Sequence, residues 1–177
     1  YQCDLQAEGQ PYEECLAEQA YLDNLAAAEQ RPFNFRSRQV LARSASVLAT
    51  LSEDENLAAE TLRFSREVTQ LVPNGWPLYN QLAAEYLMAG MPEAALGPLE
   101  DSLAITGDHT TSSRAYYVRG LAYRALGQFL EAIEAFDESI RLDTSDLEVH
   151  NNRAVALWLS GQPQEAIKDL DVIIDTR

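Results

Sequence analysis

Few side chains in this sequence have the type and spacing that catalysis or metal binding requires. The two histidines, His109 and His150, lie far apart, and neither has a second histidine at the spacing of metal ligands. The serines do not fall in a nucleophile-elbow pattern, and the eight glycines are scattered singly instead of forming a phosphate-binding loop. We therefore predict a protein that is not an enzyme and needs no cofactor, with both histidines at the surface.

The only two cysteines, Cys3 and Cys15, lie near the start of the sequence. Their spacing fits neither a redox pair nor a zinc ribbon, so two interpretations stay open. A disulfide between them would place the protein in the periplasm or in another extracytoplasmic compartment, because such bridges persist under oxidising conditions. Two free thiols would instead suit the cytoplasm.

Acidic side chains dominate the charge of the protein. The 28 Asp and Glu residues outnumber the 13 Lys and Arg residues, which gives a formal net charge of −15. This charge repels phosphate groups, so we expect neither nucleic acid nor an anionic membrane surface as a partner. No stretch approaches the ~20 apolar residues of a membrane-spanning helix, so we expect no membrane insertion.

The sequence repeats with a period of about 34 residues, and this repeat predicts the elements of the fold. Gly127 and Gly161 lie 34 residues apart, and Gly90 precedes Gly127 by 37. Apolar and small residues recur at helical spacing on both sides of each glycine, which indicates two helices joined by a turn. We expect these glycines to follow the first helix of each pair and Pro92 and Pro163 to open the second.

The third repeat pairs small residues with bulky ones at fixed spacing: Tyr116, Gly120 and Tyr123 in its first helix, Ala132 and Phe136 in its second. Matching residues in the neighbouring repeats are Ala83, Tyr86, Ala95, Leu99 and Ser102, and then Ala154, Leu157, Ala166 and Leu170. Over about residues 76–177 this pattern resembles the tetratricopeptide repeat. The resemblance implies an all-α fold, a right-handed α-solenoid of stacked antiparallel helix pairs with about eight to nine helices. Ile173 departs from the family, which usually keeps a small residue there.

We expect a single helical-repeat domain over residues 1–177. Its parts are an N-terminal extension with a capping helix (1–37), a degenerate repeat (38–75) and three tetratricopeptide-like repeats (76–112, 113–146 and 147–177). The capping helix is predicted over 12–30 with Leu16, Leu22 and Leu25 inward. In the degenerate repeat, we expect two apolar faces, made by Leu41, Ala45 and Leu48 and by Leu62, Val68 and Leu71. The turn between them, 52–56, is predicted to be longer than the others.

Arginines of the third repeat suggest a binding surface, because the resemblance places the first helix of each pair on the concave side of the stack. This helix carries Arg114, Arg119 and Arg124 and no acidic residue. Such arginines suit an acidic side chain or a C-terminal carboxylate. We expect Arg119, like Arg153 in the next repeat, to pair with a carboxylate of an outer helix, whereas Arg114 and Arg124 are candidates for either role.

The predicted partner-binding residues are Arg114, Tyr117, Leu121, Arg124, Asn151, Val155 and Trp158. The resemblance places them on the groove side, and Trp158 is an aromatic anchor of the type that often dominates binding. The alternative for Trp158 is packing against an adjacent helix.

The last predicted helix, 163–175, leaves Leu170, Ile173 and Ile174 uncovered, which predicts contact with a second copy of the chain or with further residues. From these observations we predict a non-catalytic protein–protein interaction module that binds a peptide segment of a partner in its concave groove, as an adaptor or assembly factor. The alternatives are a scaffold that self-assembles through its terminal helices and a regulatory fragment of a larger protein.

Overall fold

The computed structural model describes residues 12–31, 34–52, 55–107 and 109–175. Within these ranges the chain forms nine α-helices, one short 3₁₀-helix and no β-strand. The helices are α1 (Tyr12–Gln30), α2 (Phe35–Ser52), α3 (Glu55–Leu71), α4 (Trp76–Met88), α5 (Pro92–Thr106), the 3₁₀-helix Thr110–Ser112, α6 (Ser113–Ala125), α7 (Phe129–Leu142), α8 (Leu147–Leu159) and α9 (Pro163–Asp175). The all-α prediction is confirmed. None of these described helices is both long and apolar enough to cross a bilayer.

The helices belong to two compact units, Tyr1–Pro73 and Asn74–Arg177. In the first unit, α2 packs against both α1 and α3. One core joins the three helices and contains Ala17, Tyr21, Ala28, Leu41, Ala42, Ala45, Leu48 and Phe64. The predicted apolar face of α2 is therefore confirmed, whereas the single domain over 1–177 stays a prediction.

The predicted inward face of α1 is wrong for two of its three leucines. Leu16 and Leu22 are 46% and 44% exposed, and only Leu25 packs against the core. The helix instead buries Ala17, Tyr21 and Ala28, which pack in the core that α1 shares with α2 and α3. The tyrosine reaches across the unit, and its hydroxyl donates a hydrogen bond to the Glu60 carboxylate of α3.

The predicted long turn over 52–56 is also wrong, because α3 already begins at Glu55. On α3 the predicted apolar face is only partly confirmed. Leu62 and Val68 are buried, but Leu71 at the end of the helix is 38% exposed.

The second unit consists of three antiparallel helix pairs, α4 with α5, α6 with α7 and α8 with α9. Each new pair packs on the one before it, since α6 contacts α4 and α5, and α8 contacts α6 and α7. Pro92 and Pro163 are the first residues of α5 and α9, as predicted. Proline suits this position because the first amide of a helix has no partner within the helix.

The three tight turns inside the pairs have the same construction. Gly90, Gly127 and Gly161 have positive φ angles of 71°, 74° and 83°, as their position after the first helix predicts. The residue after each glycine donates its backbone N–H to a carbonyl five residues earlier: Met91 to Tyr86 at 2.9 Å, Gln128 to Tyr123 at 2.9 Å and Gln162 to Leu157 at 2.8 Å. The repeated bond ends the first helix at an equivalent residue in every pair.

Small residues let the helices of a pair approach closely. A Cβ atom at Gly120 would lie only 2.4 Å from Cε1 of Phe136, so glycine is required where α6 crosses α7. Ser139 near the end of α7 donates its hydroxyl to the Ser113 carbonyl at 2.9 Å, and Ser102 makes the equivalent bond to Trp76 at 3.3 Å. In the last pair the equivalent residue is Ile173, which has no hydroxyl to donate.

The predicted Cys3–Cys15 bridge cannot be followed in the fold because Cys3 lies outside the described residues. The bridge, and the extracytoplasmic location that was inferred from it, therefore stay predictions.

Candidate functional site

One side of α8 is exposed along most of its length. Asn151, Val155 and Trp158 follow one another at helical spacing and are all exposed, Val155 to 40% and Trp158 to 66%. Packing against an adjacent helix is therefore not the main environment of the Trp158 side chain. An exposed indole beside an exposed valine is a surface on which apolar side chains of another molecule can lose contact with water.

The neighbouring helix α6 carries the two predicted arginines, Arg124 in contact with α8 and Arg114 at an open cavity that residues of α4 also line. Arg114 is exposed, and its guanidinium carbon lies 4.9 Å from the ring centroid of Tyr117. Leu121 and Arg124 are half-buried. Tyr117 itself is only 3% exposed and offers almost no surface to a partner. Its ring packs against that of Phe136, with the centroids 6.1 Å apart and the planes at 44°.

A buried polar network links α6 to α8 and orients Arg124. Arg124 Nη1 donates a hydrogen bond of 2.6 Å to Oδ1 of Asn152, whose Nδ2 in turn donates to the Tyr117 hydroxyl at 3.2 Å and to the Glu148 carbonyl at 2.9 Å. Burial, together with a hydrogen bond to Glu148, raises the pKa of Tyr117 to about 12, so the phenol stays protonated. A network in which each group has its partner holds the arginine in one orientation.

Asn152 is not among the predicted binding residues, whereas the neighbouring Asn151 is. The two side chains point to opposite environments, since Asn151 is exposed and Asn152 is 8% exposed. The alternation of buried and exposed residues along α8 is the signal that separates them. The structure thus brings together Arg124, Tyr117 and α8, and assigns Asn152 the role of fixing them.

A second polar cluster lies between α8 and α9 and is ionic. Asp169 is 3% exposed and accepts hydrogen bonds from Arg153 and, at 3.1 Å, from Nδ1 of His150. Arg153 also pairs with Asp137 of α7. This confirms the predicted pairing of Arg153 with outer-helix carboxylates. The predicted surface position of His150 is wrong, because its side chain is buried. The hydrogen bond to the Asp169 carboxylate offsets the free-energy cost of burying the imidazole.

Contacts within this cluster shift the pKa values of Asp169 and Arg153. Burial alone would raise the pKa of Asp169, but hydrogen bonds from Arg153 and His150 outweigh it and hold that pKa below its ordinary value. Hydrogen bonds to Asp169 and Asp137 raise the pKa of Arg153 despite its partial burial. The cluster therefore joins three helices through charges that all have partners.

Arg119 behaves differently from Arg153, and its predicted pairing with a carboxylate is wrong. Its Nη2 donates to the Tyr123 hydroxyl at 3.2 Å, and its guanidinium carbon lies 5.4 Å from the centroid of that ring. Both residues line an open cavity of about 180 Å³. The other residues around it are Tyr116, Glu131, Glu134, Ala135 and Glu138.

The remaining predicted surface lies on α9. Leu170 is 42% exposed and Ile174 67% exposed, whereas Ile173 is half-buried. In the part of the chain that the structure describes, no three His, Cys, Asp or Glu side chains lie close enough together to hold a metal ion.

Comparisons with known proteins agree with this architecture. Residues 120–161, from the middle of α6 to the turn after α8, match the model of the TPR repeat family. The TPR repeat-containing protein MJ1428 of Methanocaldococcus jannaschii is 38% identical over 56 residues. That stretch is 32% of this chain but only 10% of the relative, so the match concerns the repeats.

Solved structures share the fold at low sequence identity. A double mutant of MamA has a TM-score of 0.76 at 19% identity, with 90% of this chain and 84% of that chain covered. YrrB, whose structure is described as a TPR protein with an unusual peptide-binding site, has a TM-score of 0.68 at 17% identity, with 91% of this chain and 78% of that chain covered. TTC0263, a thermophilic TPR protein of Thermus thermophilus, has a TM-score of 0.65 at 20% identity, with 81% of this chain and 74% of that chain covered.

The fold and the repeated turns define a helical-repeat protein of the α-solenoid class. Within that class, residues 120–161 match the TPR repeat family, and the fold is the one that solved TPR proteins share. Proteins of this family generally bind other proteins and are not enzymes.

Proposed function

We propose that the protein is a non-catalytic interaction module that binds a peptide segment of a partner protein, as an adaptor or assembly factor. The binding surface, which we name the α6–α8 face, consists of Arg114, Leu121, Arg124, Asn151, Val155 and Trp158. The observation that carries the proposal is Arg124, held by Asn152 at 2.6 Å on a helix next to the one that exposes Trp158. A fixed cation near an exposed aromatic side chain supplies both an anchor and an orienting charge.

The chemistry of this face suggests which peptides it binds. Arg114 and Arg124 can form bidentate hydrogen bonds to carboxylates, so the segment is expected to carry an acidic side chain or a free C-terminus. Trp158 and Val155 favour an apolar side chain a few residues away along the segment. Because Tyr117 is buried, its proposed contribution is to support Arg114 and Asn152 and not to contact the peptide.

The experiment is a selection of phage-displayed peptides on the wild-type protein, followed by measurement of Kd for the selected peptides. We expect Trp158→Ala and Arg124→Ala to weaken binding at least tenfold, which corresponds to about 1.4 kcal/mol. Leu130→Ala is the matched control, because Leu130 is 62% exposed but lies on α7 and outside the face. Equal binding to all four proteins would show that the peptides do not use this surface.

A second candidate function is self-assembly through α9. It is favoured by the exposure of Leu170 and Ile174 on that helix, because large apolar residues grouped at a surface often mark an interface. Sedimentation velocity over a range of concentrations tests it. Self-assembly predicts an oligomer that Ile174→Glu converts to a monomer, whereas a monomer at all concentrations contradicts it.

A further inference from the structure

The first helix of the degenerate repeat, α2, has an exposed side that differs in chemistry from the rest of this acidic protein. Arg36, Val40, Arg43, Val47 and Leu51 follow one another at spacings of three and four residues and therefore share one side of the helix. All five are exposed, and Val40, Val47 and Leu51 are exposed to 41%, 54% and 41%. We name this side the outer face of α2. It lies opposite the residues that α2 contributes to the core of its unit.

The repeat register shows what this side does in the last two repeats. Val40, Arg43 and Val47 are the third, sixth and tenth residues of the degenerate repeat. The residues at the same positions of the last two repeats are Ala115, Val118 and Ala122 in α6, and Val149, Asn152 and Ala156 in α8; all six are buried. Both α6 and α8 pack against the helices of a preceding pair. The residues on the outer face of α2 thus stand at repeat positions that pack against helices in α6 and α8, but no described residue of their own unit buries them.

The positive charge of α2 indicates which kind of molecule can bind the outer face. Helix α2 has no acidic residue, in a protein whose net charge is −15. Two of its three arginines, Arg36 and Arg43, lie on the outer face, whereas Arg38 pairs with Glu67 of α3 at 2.9 Å. Arg36 and Arg43 alternate with the exposed valines along about 22 Å of helix, since about 15 residues rise by about 1.5 Å each. A helix with acidic residues on both sides of an apolar stripe can therefore bury the valines while its carboxylates pair with the arginines.

We propose that the outer face of α2 binds one amphipathic helix of a partner protein, with an apolar stripe flanked by Asp and Glu. The surface is distinct from the α6–α8 face, and the two proposals can fail independently. The partner helix covers the same positions of α2 that the preceding helix pair covers on α6 and on α8. Its apolar side chains remove Val40, Val47 and Leu51 from water, and this burial drives association.

The probe is a capped helical peptide of about 15 residues, with leucines at helical spacing along one side and glutamates beside them, titrated into the full chain by isothermal calorimetry. We expect saturable binding, at least tenfold weaker with Val47→Asp and with Arg43→Glu. A second peptide with lysine in place of each glutamate should not bind the wild type and should gain affinity for Arg43→Glu. If Arg43→Glu binds the lysine peptide more tightly than the glutamate peptide, whereas the wild type does the reverse, then Arg43 faces the charged residues of the bound peptide.

Three controls make the assignment specific. Leu22→Asp changes an exposed leucine on α1 and should leave the affinity for the glutamate peptide unchanged. Leu130→Ala should also leave it unchanged, because that exposed residue lies on α7, outside both proposed faces. Circular dichroism of each variant checks that the helices remain folded.

Other results would overturn the proposal. Loss of binding with Trp158→Ala but not with Val47→Asp would assign the peptide to the other surface. A concentration-dependent dimer that Val47→Asp dissociates would make a second copy of the chain the occupant. Binding to vesicles of anionic lipid that depends on Val47, with no binding of the glutamate peptide, would make a membrane surface the occupant.

Discussion

Arg119 and Arg153 occupy the same position in two successive repeats, 34 residues apart, yet they have different surroundings. Arg153 is held between Asp137 and the buried Asp169. Arg119 lies over the ring of Tyr123 on its own helix and lines an open cavity. The backbone presents both arginines in the same way, so the difference comes from the side chains around them.

Two neighbouring positions account for this difference. The residue equivalent to Asp169 in the earlier repeat is Ala135, which offers no acceptor to Arg119. Tyr123 corresponds to Leu157, and this tyrosine supplies the aromatic ring and hydroxyl that Arg119 uses instead. Repeats with one backbone geometry can therefore contain either a closed ionic cluster or an open cavity.

The largest effect on this comparison should come from Asp169→Ala. The substitution leaves Arg153 and His150 without their shared acceptor in a mostly buried site, and loss of one partner from such a cluster costs about 3–5 kcal/mol. Urea denaturation measures the change in the free energy of unfolding. Asp171→Ala, at an exposed position two residues away, is the control and should change it by less than about 0.5 kcal/mol. Similar losses for both variants would contradict the assigned role of the cluster.

The ionic cluster should also make the protein sensitive to acid. The pKa of Asp169 is lower in the folded state than in the unfolded chain, so its stabilising contribution is present above the unfolded value of about 3.9. That contribution is lost as the pH falls through the lower folded pKa. The urea midpoint should therefore drop between about pH 5 and pH 3, and it should drop less in Asp169→Asn. An equal drop in both proteins would assign the acid sensitivity to other carboxylates.

The smallest effect should come from Tyr123→Phe in the earlier repeat. The change removes the hydroxyl that accepts from Arg119 but keeps the ring below the guanidinium, in a half-buried and solvent-accessible setting. We expect a loss of less than about 1 kcal/mol in the free energy of unfolding, measured in urea. A loss comparable to that of Asp169→Ala would show that the two arginine sites are energetically alike.

Much of the fold could be predicted because local chemistry and the repeat period agree. Gly90, Gly127 and Gly161 have the positive φ angles that their position implies, and Pro92 and Pro163 begin helices. These features depend on the conformational preferences of single residues, which do not change with the surroundings.

The candidate site was predicted less completely, because exposure depends on neighbouring helices. Trp158 and Val155 are exposed as expected, but Tyr117 is buried and Asn152, not Asn151, contacts Arg124. The helical period identifies the residues that share a side of a helix. It does not tell which of two adjacent sides a neighbouring helix covers.

The sequence by itself determined the helices, their turns and the pairing of small residues with bulky ones, such as Gly120 with Phe136. These follow from local backbone preferences and from a period that places equivalent residues in equivalent positions. Only the tertiary structure decided that His150 is buried against Asp169 and that Leu16 and Leu22 face solvent. The reason is that burial of an ionisable or apolar side chain is a property of the partners it meets, and those partners come from helices distant in the sequence.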